Sequence, residues 1–389
     1  MAKNKLSRRE QLRKRPQLRG RGLKIKVVGV GGAGCSIISR LMKSKIPNLE
    51  LIAINTDSQS LARTSAHKKI KIGKRGTKGS GTGMNVNLGQ QAAEISRKEI
   101  IGELRGTDLI FLVAGLGGGV GSGALPVIAE ISRELGILTI ALVTKPFIFE
   151  GLRRMAIAEQ TIKILATKVD ALISIANERL LKVIDRTTPL LEAFGIIDKV
   201  LEEVVGGITE VINSTGLVNV DSTDLKTILK DAGQVLLGIG TAEGESRAIQ
   251  AVKKAIENPL FDFSIKGAKG IIFVVTGGPD LTMYEVNEMA KYIYELADQN
   301  CQINFGVVID ELMEGKIKVA VIATGFSSNN LEQSQGVLIK PQSIFEKKVE
   351  IEKIQLVKKE PEIRSKIVKL DKDVNEDELE IPTFLRKKK

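Results

Sequence analysis

From residue 23 onward the hydrophobic pattern of this chain switches repeatedly between two periods. Residues 23–30 are a short β-branched run, which predicts a buried strand. Ile37, Ile38, Leu41 and Met42 follow at helical spacing, and residues 49–55 read as a second buried strand. A strand over 108–114, a helix through 125–135 and a strand over 137–143 repeat the alternation. Such a pattern predicts a parallel, doubly wound sheet with its ligand site at the carboxyl ends of the strands.

Around residues 190–211 the pattern becomes one long helix. An interruption is expected at Gly206-Gly207, because glycine weakens a helix interior. A second, smaller α/β unit then reads as strand 235–240, helix 245–257, strand 270–276, helix 281–299 and strands 303–309 and 317–323. After Gly325 the chain turns polar, charge-mixed and weakly periodic, the composition of a linker. The expected organisation is a disordered arm over 1–22, a first domain over 23–188, a central helix over 189–212, a second domain over 213–327, a disordered linker over 328–374 and a terminal peptide over 375–389.

Composition adds three limits. Hydrophobic residues make up 43% of the 389 positions, enough for two large aliphatic cores. No apolar run approaches the roughly 20 residues of a membrane-spanning helix, and the basic N-terminus has no apolar block after it, so it does not read as a secretory signal. Cys35 and Cys301 lack metal-site spacing and fit a reducing, cytoplasmic setting. The formal charge of +12 is concentrated at the start: residues 1–22 hold nine Lys/Arg against one Glu, whereas the remainder is nearly neutral. That arm is either a solubilising tail or a segment drawn to phosphate-rich surfaces. It has no aromatic residue for base stacking, which argues against a dedicated nucleic-acid reader.

Two glycine-rich loops each follow an expected strand and open an expected helix, where backbone N–H groups and the positive helix end converge on an anion. The first, Gly29-Val-Gly-Gly-Ala-Gly34, also fits a dinucleotide fingerprint, and Asp57 stands where a ribose-binding acid would fall. Alone it admits an NAD-dependent dehydrogenase. The second loop, residues 114–123, has six glycines in ten residues and points to a polyphosphate instead. No Gly-Lys-Ser/Thr of a P-loop enzyme is present. A third loop, residues 77–83, is equally rich in glycine and hydroxyls, and the single histidine, His67, reads as a surface residue.

Gly-Gly-Gly-Val-Gly-Ser-Gly at 117–123 resembles the tubulin signature. Residues 28–34, 53–57, 77–85, 144–147, 149–151 and 192–194, in that order, make the chain resemble the FtsZ family of bacterial tubulin-like cell-division GTPases. The resemblance implies the tubulin/FtsZ fold: a Rossmann-like parallel-sheet domain that binds GTP or GDP, a long central helix and a smaller α/β domain. It implies Mg²⁺ with the nucleotide and a head-to-tail homopolymer that forms the cytokinetic ring at midcell. Gly32, Ala33, Gly34, Cys35 and Ser36 with Gly119, Val120, Gly121 and Ser122 would cradle phosphates. Asn55, Glu150 and Arg154 would lie beside sugar and phosphates, and Arg40, Asn177 and Asp198 would flank or read guanine.

Asn219, Asp221 and Asp224 match the family loop that reaches the neighbouring subunit's nucleotide. Two carboxylates and an amide suit the orientation of a water for attack on the γ-phosphate. From the residues alone, Glu150 with Arg154 is also a surface ion pair, Asp198 a helix-surface charge, and Asp221 or Ser222 a helix N-cap. No resident metal site is expected from the protein's own side chains. Ile381, Pro382, Phe384, Leu385 and Arg386 resemble the family's tail peptide, which docks onto membrane tethers and division regulators without insertion of the protein itself. Three departures matter; the mildest is Ser122, which keeps a hydroxyl where the signature usually has Thr. Val120 replaces a hydroxyl residue, with an expected loss of one hydrogen bond worth about 1.5–3 kcal/mol. Ser36 stands where Asn is usual. They leave room for a structural paralogue that binds nucleotide and assembles but hydrolyses poorly.

Overall fold

The computed structural model describes residues 23–44, 46–74, 79–213, 217–218, 222–257 and 265–326. The chain opens with β1 (Ile25–Val30), α1 (Gly31–Ser44), β2 (Leu49–Asn55), α2 (Ser58–Arg63) and β3 (Lys68–Lys71). Helices α3 (Val86–Ile95) and α4 (Arg97–Leu104) lead to β4 (Leu109–Gly115), α5 (Gly119–Glu134), β5 (Leu138–Lys145), α6 (Leu152–Ala166) and β6 (Ala171–Ala176). The chain then runs through α7 (Asn177–Leu180), α8 (Leu190–Asn213) and α9 (Ser222–Leu229) before β7 (Gly233–Gln234).

These strands form one parallel sheet in the order β3-β2-β1-β4-β5-β6-β7. The order reverses between β1 and β4, and an open α/β sheet parts its loops at that point into a ligand crevice. Both faces are buried. Val27, Phe111, Val113 and Leu142 belong to the apolar layer shared with α1 and α8, and their neighbours Val28, Leu112 and Val143 to the layer under α3, α5 and α6. Strand period two therefore sends alternate residues into two cores, which is why the runs are mostly apolar.

The long helix differs from expectation. α8 is continuous over 24 residues, with no break at Gly206-Gly207. A Cβ on Gly207 would stand 2.5 Å from Ile239 Cδ1, so the missing side chain lets the helix lie against β8 (Leu236–Glu243). Each helical glycine costs about 1 kcal/mol. Burial of Ile197, Leu201, Val204, Val205, Ile208 and Val211 outweighs that, at about 1.5–3 kcal/mol for each large side chain.

The second sheet has the order β10-β9-β11-β8, built from β8, α10 (Arg247–Ile256), β9 (Gly270–Gly277), α11 (Met283–Leu296), β10 (Gln302–Ile309) and β11 (Lys316–Thr324). β10 runs parallel to β9, and β11 antiparallel to β9 and β8. Lys318 on β11 pairs with Glu210, which ties α8 to this sheet. His67 is exposed, as expected, and its ring Nδ1 also accepts from the Leu51 amide at 2.9 Å, just ahead of the β2–β3 pairing.

Candidate functional site

Five strands of the first sheet end at one cleft of about 560 Å³. Gly31 follows β1, Asn55 ends β2, Gly115 ends β4, Thr144 lies at the end of β5 and Asn177 follows β6, and all five line it. Backbone and polar side chains meet there because parallel strands deliver every following loop to the same edge.

The two glycine-rich turns form the floor. Gly31 adopts φ 76°, a conformation an L side chain resists, and starts α1 directly from β1. A Cβ on Gly34 would meet Val113 O at 2.6 Å, and one on Gly29 would meet Gly34 O at 2.3 Å, so these two glycines serve close helix–strand packing. In the second turn Gly117 has φ 94°, while a Cβ on Gly119, Gly121 or Gly123 would come within 2.5 Å of Thr82 Oγ1, Gly115 O or Val86 O. Only Gly32 and Gly118 among these have open space where a Cβ would stand. The glycine density thus reports packing as much as ligand contact.

The side chains of the second turn face inward. Ser122 is 2% exposed, and its Oγ accepts from Gly117 N at 2.9 Å. Val120 is 8% exposed and joins the apolar layer under α3 and α5.

Above the floor, Glu150 pairs with Arg154 at 2.6 Å, and the other Glu150 oxygen accepts from Phe147 N at 3.0 Å. Both line the cleft, so the ion pair and a ligand role coexist. Asn55 is held by its neighbours: Oδ1 accepts from Asp57 N at 3.3 Å and Nδ2 donates to Ser60 Oγ at 3.3 Å. Asn177 is 7% exposed, and its Oδ1 has no hydrogen-bond partner. A buried amide oxygen left unpaired costs about 1–3 kcal/mol and marks a place where an external donor is accommodated.

Asp198, on α8, receives Arg40 Nε at 2.9 Å. Burial pushes its carboxyl above the usual range, and the Arg40 guanidinium partly offsets this. A Cβ on Gly195 would sit 3.4 Å from Arg40 Nη2, so the guanidinium lies over the surface that this glycine leaves bare.

Ten of the expected residues therefore line one cleft: Gly32, Ala33, Asn55, Gly119, Val120, Gly121, Glu150, Arg154, Asn177 and Asp198. Cys35, Ser36 and Arg40 instead line a neighbouring groove of about 800 Å³ between α1 and α2, which shares only Asp57 and Ser60 with the cleft. That groove is the larger, but the five strand ends and both glycine turns point to the smaller one. Burial pushes the Cys35 thiol up, so it is no thiolate nucleophile. Gly34 and Ser122 line neither space. Asp224 lies half-buried in the first turn of α9. Asn219, Asp221, the basic arm and the tail residues Ile381, Pro382, Phe384, Leu385 and Arg386 lie outside the described residues. Thr82, Thr144, Pro146, Phe194 and Leu201 also line the cleft without having been singled out. Thr144, Pro146 and Phe194 fall within segments that carried the resemblance, which was the available signal.

Residues 24–185 match the Tubulin/FtsZ family, GTPase domain, and residues 233–327 match the FtsZ family, C-terminal domain. Among solved structures, an empty FtsZ dimer from M. jannaschii is 41% identical over 82% of this chain and 93% of that one, at a TM-score of 0.74. The chain belongs to the FtsZ family. It is accordingly a GTP-binding GTPase of a family that forms protofilaments in cell division. CetZ2 of Haloferax volcanii, solved as a GTPγS-bound protofilament, is 22% identical over 81% of this chain and 98% of its own, at TM-score 0.68. CetZ1 of the same organism, solved as a GDP-bound monomer, is 20% identical over 82% of this chain and 100% of its own, at TM-score 0.69. These two share the FtsZ-family fold. The dehydrogenase alternative is overturned by the family. The Asp57 carboxylate that suggested it caps α2, accepting from Gln59 N at 2.9 Å.

Proposed function

We propose that GTP and GDP occupy the cleft with their phosphates over Gly32, Ala33 and residues 118–121, and that a second copy completes the hydrolytic site. The observation that carries this reading is the convergence of both glycine turns with Asn55, Asn177, Asp198, Glu150 and Arg154 on a single cleft. Amide groups at the start of α1 and α5, backed by two helix dipoles, suit an anion with several oxygens. Asp198 presents carboxylate oxygens that accept from guanine N1–H and N2–H₂, and Arg40 partly offsets the burial that disfavours the ionised form. The unpaired Asn177 Oδ1 offers a further acceptor for the base, and Glu150 and Arg154 flank the sugar and phosphates.

Among the described residues no group of three acidic, cysteine or histidine side chains could hold a metal. Mg²⁺ would then be held mainly by the nucleotide's own phosphate oxygens and water, where it would neutralise developing charge. Hydrolysis would follow when Asn219, Asp221 and Asp224 of the next subunit reach the γ-phosphate. There a carboxylate accepts a proton from water while the water oxygen bonds to phosphorus and GDP leaves. We further propose the two-domain division at 188 and 213 around the central helix. The tail peptide at 381–386 would dock onto membrane tethers and regulators, on a linker that raises its local concentration. The protein would act in the cytoplasm at midcell. No helix among the described residues is long and apolar enough to cross a membrane, consistent with tethering through the tail.

The test is phosphate release from GTP against protein concentration. Specific activity should rise cooperatively above a threshold. Asp224→Ala should lower turnover at least about 100-fold, the usual scale of a lost general acid–base group, while GTP affinity stays within about twofold. Turnover independent of concentration, or GTP binding lost with Asp224, would refute the shared site.

A further inference from the structure

We propose that Ser122 is a positioning residue, a brace that pre-forms the phosphate turn from behind and does not itself touch phosphate. This inference rests on the placement of nucleotide in the cleft. Ser122 belongs to the first turn of α5, where a hydroxyl is ordinarily free to face an anion bound at the helix start. Here it is turned the other way. The side chain is 2% exposed and absent from the cleft lining, and its Oγ accepts the Gly117 amide at 2.9 Å. The Ser122 amide in turn donates to Gly118 O at 3.3 Å, so the turn is closed at both ends onto one residue.

The geometry explains why a brace is needed at this point. Gly117 holds φ 94° and would press a Cβ against the Arg154 backbone at 3.0 Å, so the chain changes direction there under tight constraint. The next residue, Gly118, has open space on the side where a Cβ would be. Without the hydroxyl the Gly117 N–H would be buried without its acceptor, and the turn would gain freedom just where amides must already point at phosphate. Loss of one such hydrogen bond destabilises the turn, and an unsatisfied buried donor destabilises it further. Because binding would then have to restore the lost order, the penalty falls on ligands that use the turn.

The experiment compares guanosine, GDP and GTP on the nucleotide-stripped full chain by ligand-observed NMR and calorimetry. Ser122→Ala should weaken GDP and GTP about tenfold, the effect of about 1.4 kcal/mol, and leave guanosine affinity unchanged. Ser122→Thr, which keeps the hydroxyl, should restore both nucleotides. Equal weakening of guanosine, or no weakening of GTP, overturns the proposal. A direct phosphate contact would give the same affinities, so hydrogen exchange at the Gly117 amide separates the two. In the stripped wild-type chain that amide should already be protected. Protection that appears only when GTP is added overturns the brace, and this measurement stands even where Ser122→Ala fails to fold. Should GTP and GDP bind the wild type no better than guanosine, the placement of phosphates in this cleft fails instead.

Discussion

The turns at residues 29–34 and 115–123 look alike in sequence and are held in place by different means. Both use glycines whose missing Cβ admits neighbouring backbone: Gly29 and Gly34 in the first, Gly119, Gly121 and Gly123 in the second. Both leave one glycine open to the cleft, Gly32 and Gly118. The first turn runs directly into α1, which the Arg40–Asp198 pair links to α8. The second is braced internally by Ser122. Glycine count alone does not distinguish the two.

The sharpest way to break the comparison is to fill a packing glycine and an open one. Gly123→Ala sets a Cβ 2.1 Å from Val86 O and 2.8 Å from Gln90 N, both main-chain atoms that cannot swing aside. Overpacking against backbone should cost about 3 kcal/mol or more, read as a lowered urea midpoint. Gly32→Ala meets nothing within 4 Å and lies in the first turn of α1. Its stability should stay level or rise by up to about 1 kcal/mol, while GTP binding weakens because a methyl group enters the cleft. If both variants lose stability alike, the division of glycines into packing and open classes fails.

Most of the scaffold was legible from the hydrophobic pattern, because a strand buried on both faces leaves a continuous apolar run. The apolar stretch 51–54 illustrates this, and the strand expected over 49–55 matches β2 end to end. Edge strand β3 was not legible, since Lys68, Lys69 and Lys71 alternate with a single buried Ile70. Nor was the continuity of α8: local propensity marks Gly206-Gly207 as a break, whereas the helix runs through both and Ile239 packs where a Gly207 side chain would stand. At the site, residue types were legible through the resemblance, but side-chain direction was not. Ser122 sits in the signature and turns away from the cleft. Arg40 lines the neighbouring groove and meets the cleft through its pair with Asp198.

That ion pair supplies the next test. Burial alone raises the Asp198 carboxyl, and Arg40 opposes the rise. A carboxyl raised in the folded state destabilises the fold as pH climbs past its unfolded value, fully so above the folded value, and is neutral below both. Arg40→Ala should therefore push the carboxyl higher still and deepen that penalty at neutral pH. Binding runs the other way, since only the ionised form offers every lone pair to guanine. The acid limb of GTP affinity against pH should move upward in Arg40→Ala, with a loss of about twofold from the plateau at the shifted midpoint and about tenfold one pH unit below it. GTP affinity profiles that superimpose would separate Arg40 from base reading.

The smallest expected effect belongs to Val120, where sequence and structure pull apart. A hydroxyl at this position is expected from the family signature, and its absence suggests a hydrogen bond lost to the phosphates. In the fold, Val120 is largely buried in the apolar layer, and an ideal Cβ on Gly31 would approach its own Cβ to 3.6 Å. In Val120→Thr the new hydroxyl has two destinations. Turned into the layer, it costs about 1–3 kcal/mol of desolvation; turned to the cleft, it gains at most the bond to charge. Main-chain amides of the turn remain in place in either case, so the two terms nearly cancel. GTP affinity should change less than about threefold, and any stability change should be a loss. A tenfold gain in affinity or turnover would mean that the second turn depends on side chains for phosphate, and the contrast between the two turns would lose its basis.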